Sequence, residues 1–118
     1  MAKSIALEKA IKFALRIVKL YKYLTEEKKE FVLSKQMLVS GTYVAKHVKA
    51  ATVAENRSKF GSEMFKGMQY ASDTELWLFL LHEGEWLDKK YYDSINEDCL
   101  EMIRLTASIS KTSSEDGQ

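Results

Sequence analysis

Apolar residues recur at spacings of three and four along almost the whole chain, in four blocks separated by short polar stretches, and this periodicity predicts four amphipathic helices. The first covers about residues 4–24, with Ser4 as its N-cap and a stripe of Leu7, Ala10, Ala14, Ile17, Tyr21 and Leu24. Ile11, Phe13, Val18 and Leu20 widen its apolar surface. Thr25 is placed to cap the second helix, where Glu26 and Glu27 would suit the positive end of the helix dipole. That helix is expected to reach about Ala54. Ser34, Met37, Leu38, Gly41, Val44, Val48 and Ala51 line one face, and Val32, Val39 and Tyr43 lie on another.

The third helix is expected to start between Asn56 and Ser58 and to end near Glu83. Its stripe is Phe60, Met64, Gly67, Met68, Ala71, Leu78 and Leu81, with Glu75 falling inside it. Gly84 is placed to end this helix and Asp88 to cap the fourth. The fourth stripe is Tyr92, Ile95, Cys99, Met102, Thr106 and Ile109. Four such helices with short connections predict an all-α, antiparallel up-down-up-down bundle over residues 1–111. Residues 112–118 read as a polar, disordered tail.

Composition agrees with this pattern. There is no proline among 118 residues, which favours uninterrupted helices. The single cysteine, Cys99, has no partner for an intramolecular disulfide and suggests a reducing, cytoplasmic setting. No stretch has the length and apolarity of a signal peptide or membrane span, and no internal repeat is visible. The net charge of +1 is unevenly spread: +5 over residues 1–24, +1 over 25–55, −1 over 56–83 and −4 over 84–118. In the expected topology the first and fourth helices are neighbours, so their opposite charges favour pairing, although exposed ion pairs are individually weak.

One segment is locally unfavourable. Ser40-Gly41-Thr42 lies in the middle of the second helix, where glycine costs about 1 kcal/mol relative to alanine. A missing side chain there would let another helix approach closely. With this segment, the runs ALRIVKLYK (14–22), FVLSKQML (31–38), TELWL (74–78) and ISKT (109–112) make the chain resemble, over nearly its whole length, the bacterial four-helix bundle family of 23S rRNA intervening-sequence proteins. The resemblance implies an antiparallel four-helix bundle, often assembled as a ring-shaped homopentamer, and implies no catalytic activity. Some members are encoded within insertions in ribosomal RNA genes. A related branch comprises the accessory proteins of diversity-generating retroelements, basic pentameric bundles that work with a reverse transcriptase and its template RNA. The second helix departs from the family's approximate RSGTSIGANIREA run. Val39 stands for the arginine, Tyr43 for the serine, Ala45 for the second glycine, and Lys46 and His47 for the Ala-Asn pair. Lys49 and Ala50 fall where Arg-Glu is common, and Gly61 and Gly67 stand where better helix formers are usual.

A carboxylate on an apolar stripe needs hydrogen-bond partners. Glu75 is therefore expected to form an interhelix polar lock with Ser40 and Thr42 at the close approach around Gly41. A catalytic acid is disfavoured, because no second carboxylate or nucleophile accompanies it. Di-iron bundles use Glu-x-x-His on facing helices. The residues three before His47 and His82 are Val44 and Phe79, so that metal motif is absent, and no cofactor is expected. His82 reads as a group at a helix end, His47 as a surface or interface group, and Cys99 as a small buried residue.

Lys9, Lys12, Arg16 and Lys19 form a basic stripe on the first helix, near Tyr23. It reads either as a nucleic-acid contact, multiplied in a ring, or as a solvated face paired with the acidic fourth helix. The third helix is apolar nearly all round, with Leu76, Trp77, Phe79 and Leu80 beyond its stripe and Trp86 just after it. Val32, Val39, Tyr43, Leu76, Trp77 and Leu80 are accordingly the candidate oligomer interface. The expectation is a non-enzymatic scaffold that forms a ring, with a pentamer favoured. The alternatives are an RNA-associated accessory protein, such as one serving a reverse transcriptase, and a diverged or redesigned family scaffold with a new protein contact on its second helix.

Overall fold

The computed structural model describes residues 2–116, and side chains over 5–113. It contains four helices: α1 (Ala2–Glu26), α2 (Leu33–Thr52), α3 (Arg57–Glu83) and α4 (Lys89–Asp116). No strand occurs among the described residues. Each helix runs antiparallel to the next in a long, narrow bundle of 48 × 21 × 20 Å. The long axis follows from helix length, since 27 residues in α3 rise about 40 Å at 1.5 Å per residue. α2 packs against α1 and α3, and α4 against α3 and, less closely, α1. The α1/α3 and α2/α4 pairs are therefore diagonal.

The core stripes agree with the periodicity in three helices and are rotated in one. Met37, Val44, Val48 and Ala51 of α2, Met64, Ala71, Leu78 and Leu81 of α3, and Ile95, Cys99 and Met102 of α4 are buried. In α1 the buried set is Ala6, Ala10, Phe13, Ile17, Leu20 and Leu24. Leu7, Ala14 and Tyr21 are half-buried at its edge. The expected stripe was one plausible track on a helix with a wide apolar arc, and packing against both α2 and α4 centred the buried arc elsewhere.

The first connection differs most from expectation. α1 already begins at Ala2, so Ser4 lies within it and is not its cap. α1 also continues through Thr25, whose hydroxyl donates back to the carbonyls of Tyr21 (3.0 Å) and Lys22 (3.2 Å) and caps no following helix. A turn with Lys29 at φ 56° reverses the chain, and α2 starts only at Leu33. Its first backbone N–H groups, which have no partner within the helix, are served by Glu30. This carboxylate accepts from Val32 (3.2 Å), Leu33 (3.0 Å) and Ser34 (2.7 Å), while the Ser34 hydroxyl donates to the Glu30 carbonyl (2.7 Å). Burial pushes the Glu30 carboxyl up, but the three N–H groups and the Ser34 hydroxyl outweigh it and hold the group below its ordinary value.

The other ends behave more simply. Asn56 accepts from the Lys59 N–H (2.8 Å) and caps α3, and Asp88 accepts from the Tyr91 N–H (2.8 Å) at the start of α4. α2 stops at Thr52, two residues short of Ala54. Gly84 follows α3 with an ordinary φ of −80°, and the left-handed position is taken by Glu85 at φ 72°. α4 continues through residues 112–116, where a disordered tail was expected. Ser113 is buried there and donates to the Arg57 carbonyl (3.0 Å), which ties the end of α4 to the start of α3. Residues 117 and 118 lie outside the described residues.

Candidate functional site

The Ser40-Gly41-Thr42 segment is a close approach, and its two sides meet different helices. Gly41 faces α1: a Cβ at this position would stand 2.8 and 2.9 Å from Cγ1 and Cγ2 of the buried Ile17. Ser40 faces α3. Its hydroxyl receives a hydrogen bond from the Thr74 hydroxyl (2.8 Å), with both side chains buried. The polar lock therefore joins Ser40 to Thr74, not to Glu75. Thr42 donates within its own helix to the Leu38 carbonyl (2.7 Å). Glu75 is half-buried on the α4 side of α3, where its charge acts on Tyr92 and Cys99. Burial, then the Glu75 and Asp98 charges, push the Cys99 thiol up to about 12. With Sγ bonded to the Ala71 carbonyl (3.2 Å), Cys99 is an inert core group.

The basic stripe of α1 is divided. Lys9 pairs with Glu101 (3.0 Å), and Arg16 pairs with Asp98 (2.8 Å) and reaches the Ser94 hydroxyl (3.2 Å). Lys12 stands 4.0 Å from Glu8 on its own helix. Lys19 has no carboxylate within ion-pair distance among the described residues and borders a cleft with Tyr23. Half of the stripe is thus engaged by the acidic face of α4, across the most loosely packed seam of the bundle.

A cluster that periodicity did not single out bridges α2 and α3. His47 Nδ1 lies 2.8 Å from Glu63 Oε1, and its ring stacks on Tyr70 at 5.2 Å and 4°. Tyr43 meets Tyr70 edge-on at 5.2 Å, and Lys46 stands 4.4 Å above the Tyr43 ring. The His47 bond, opposed by burial, holds the Glu63 carboxyl below its ordinary value, with Lys66 contributing at 3.9 Å. Three positions at which α2 departs from the family run, Tyr43, Lys46 and His47, converge in this cluster. The signal for it was the i, i+4 spacing of Tyr43 and His47. At the far end of α3, His82 bonds the Leu87 carbonyl (2.9 Å) and stacks on Tyr92. No group of three or more His, Cys, Asp or Glu side chains suited to a metal occurs among the described residues.

The apolar surface is arranged in strips. On α1, Ile11, Leu15 and Val18 are 46%, 55% and 37% exposed. On α3, Phe65, Leu76 and Phe79 are 47%, 51% and 46% exposed. Of the remaining candidate interface residues, Val32 and Val39 are exposed, whereas Tyr43, Trp77 and Leu80 are half-buried. No described helix is long and apolar enough to cross a membrane.

Comparison with known proteins agrees with this architecture. No curated protein matches the chain. A solved crystal structure of a protein with unknown function from the S23 ribosomal protein family of Bacteroides thetaiotaomicron VPI-5482 superposes with a TM-score of 0.91 at 40% identity. The match covers 94% of this chain and 99% of that one. The family model for the 23S rRNA-intervening sequence protein matches residues 2–108, which takes in α1 to α3, most of α4 and both sides of the Ser40–Thr74 contact, and the chain belongs to that family.

Proposed function

We propose that the chain is a non-catalytic helical scaffold that associates through its outer helix faces into a ring, with a pentamer as the favoured size. The observation that carries this reading is the pair of exposed apolar strips on α1 and α3. These helices are diagonal in the bundle, so the strips lie on opposite sides of the molecule. Two different faces on opposite sides make a head-to-tail contact, and such contacts close into rings when the rotation per subunit allows it. A face of this kind left in water is also a liability that association removes. The buried, unpaired Cys99 suits a reducing compartment such as the cytoplasm.

The competing reading is an RNA-associated accessory role, including service to a reverse transcriptase. It is weakened because Lys9 and Arg16 are engaged by α4. A new protein contact on α2 is the other alternative, and it is weakened because Tyr43 is held against Tyr70 and His47. Native mass spectrometry at low micromolar concentration, with and without nuclease, separates these readings. A pentamer free of nucleic acid, converted to monomer by Leu15→Glu or by Leu76→Glu with helicity retained, is the expected result. A wild-type monomer overturns the scaffold, and a nuclease-sensitive added mass replaces it with the RNA reading.

A further inference from the structure

We propose that the cleft between the end of α1 and the α3–α4 turn is a binding site for a small planar aromatic anion. The cleft has a volume of about 420 Å³ and is bordered by Lys19, Leu20, Tyr23, Leu87, Asp88 and Tyr91. That volume is at the small end of the range of roughly 300–1,000 Å³ typical of ligand sites, and suits a fused two-ring system. A second lobe of about 320 Å³ continues from it, sharing Tyr23, Leu87 and Asp88 and adding Lys28 and Trp86. Leu20 and Leu87 are buried and supply an apolar floor, while the Tyr23 and Tyr91 rings border the opening. Aromatic walls over an aliphatic floor favour a flat ring.

The sign of the ligand follows from which charges are already engaged. Asp88 keeps its charge, but as the cap of α4 it accepts from the Tyr91 N–H and lies at the positive end of the helix dipole, which offsets that charge in part. The acidic residues of α4 further along the seam are neutralised by Lys9 and Arg16. Lys19 at the rim of the first lobe and Lys28 in the second have no carboxylate partner among the described residues. Each tyrosine ring also carries a cation over one face, Arg16 at 5.4 Å from Tyr91 and Lys28 at 5.9 Å from Tyr23. Glu85 adds a further carboxylate to the second lobe, so the anionic group is assigned to Lys19 and the ring to the first lobe. The site is built from one chain and does not depend on ring assembly.

The probe is 2-naphthoate, titrated into the full chain and followed by amide chemical shifts, with 2-naphthylmethylamine as the cationic counterpart. The expected result is saturable binding with the largest shifts at Leu20, Tyr23, Leu87 and Tyr91, and at least about tenfold weaker binding of the amine. Lys19→Glu and Tyr23→Ala change exposed residues and are each expected to weaken 2-naphthoate about tenfold. Lys12→Glu, on the same face but two turns away and outside the cleft lining, leaves it unchanged. Shifts centred on Leu15, Leu76 or Phe79, equal binding of the amine, loss with Lys12→Glu equal to that with Lys19→Glu, or no saturation overturns the proposal.

Discussion

Adding one methyl group at two helical glycines is expected to change stability in opposite directions. By propensity alone, Gly41→Ala and Gly67→Ala each gain about 0.5–1 kcal/mol, because alanine loses less conformational freedom on folding. The surroundings decide the net sign. A Cβ at Gly67 meets Val48 Cγ2 at 3.4 Å, the Val44 carbonyl at 3.7 Å and Thr106 Cγ2 at 3.8 Å, all ordinary contacts. A Cβ at Gly41 meets Ile17 at 2.8, 2.9 and 3.2 Å. Ile17 is fully buried, and its β-branched side chain has essentially one rotamer in a helix, so it has no room to swing away. Relief requires α1 and α2 to separate, and overpacking of this kind costs about 1–3 kcal/mol. The net expectation is that Gly41→Ala destabilises by about 1–2 kcal/mol and lowers Tm by roughly 4–8 °C. Gly67→Ala is expected to stabilise by about 0.5–1 kcal/mol. Urea unfolding followed by far-ultraviolet circular dichroism, at one fixed protein concentration, reads both variants. A cycle with Ile17→Ala localises the clash. That change alone costs about 2–5 kcal/mol, and the Gly41→Ala methyl should recover about 1–2 kcal/mol in the double variant. If Gly41→Ala stabilises like Gly67→Ala, or the cycle shows no coupling, the tight α1–α2 approach is wrong.

Two further outcomes follow from the polar contacts between α2 and α3. Thr74→Val removes the donor to Ser40 inside the core and should cost about 1 kcal/mol in urea unfolding, whereas Glu75→Gln should cost less; the reverse order would restore Glu75 as the lock. Because the Glu63 carboxyl is held below its ordinary value of 4.5, its contribution is present above that value and is lost as pH falls through the lower folded value. Melting temperature should therefore fall less steeply below about pH 4.5 in His47→Gln than in the wild type, and identical acid limbs would remove the His47–Glu63 bond from the account.

The periodicity of three and four determined the helix count and most of the core, because an apolar stripe of that spacing has to leave water, and the short connections between stripes determined the antiparallel order. The periodicity also held the answer to the polar lock. Gly67, Ala71, Thr74, Leu78 and Leu81 alternate steps of four and three without a break, and Glu75 is the residue off that track. Caps formed by short side chains, Asn56 and Asp88, were legible because the bond is made within three residues. Glu30 was not, because a long carboxylate that gathers three N–H groups depends on how the chain reverses at Lys29. Only the tertiary structure decided which flank of each stripe faced which neighbour. It turned Gly41 to Ile17 and Ser40 to Thr74, paired Lys9 and Arg16 with α4, and gathered His47, Glu63 and the two tyrosines from separate helices. The physical reason is that periodicity fixes which face of a helix is buried, while the rotation that selects individual partners is set by side-chain volumes meeting across the core.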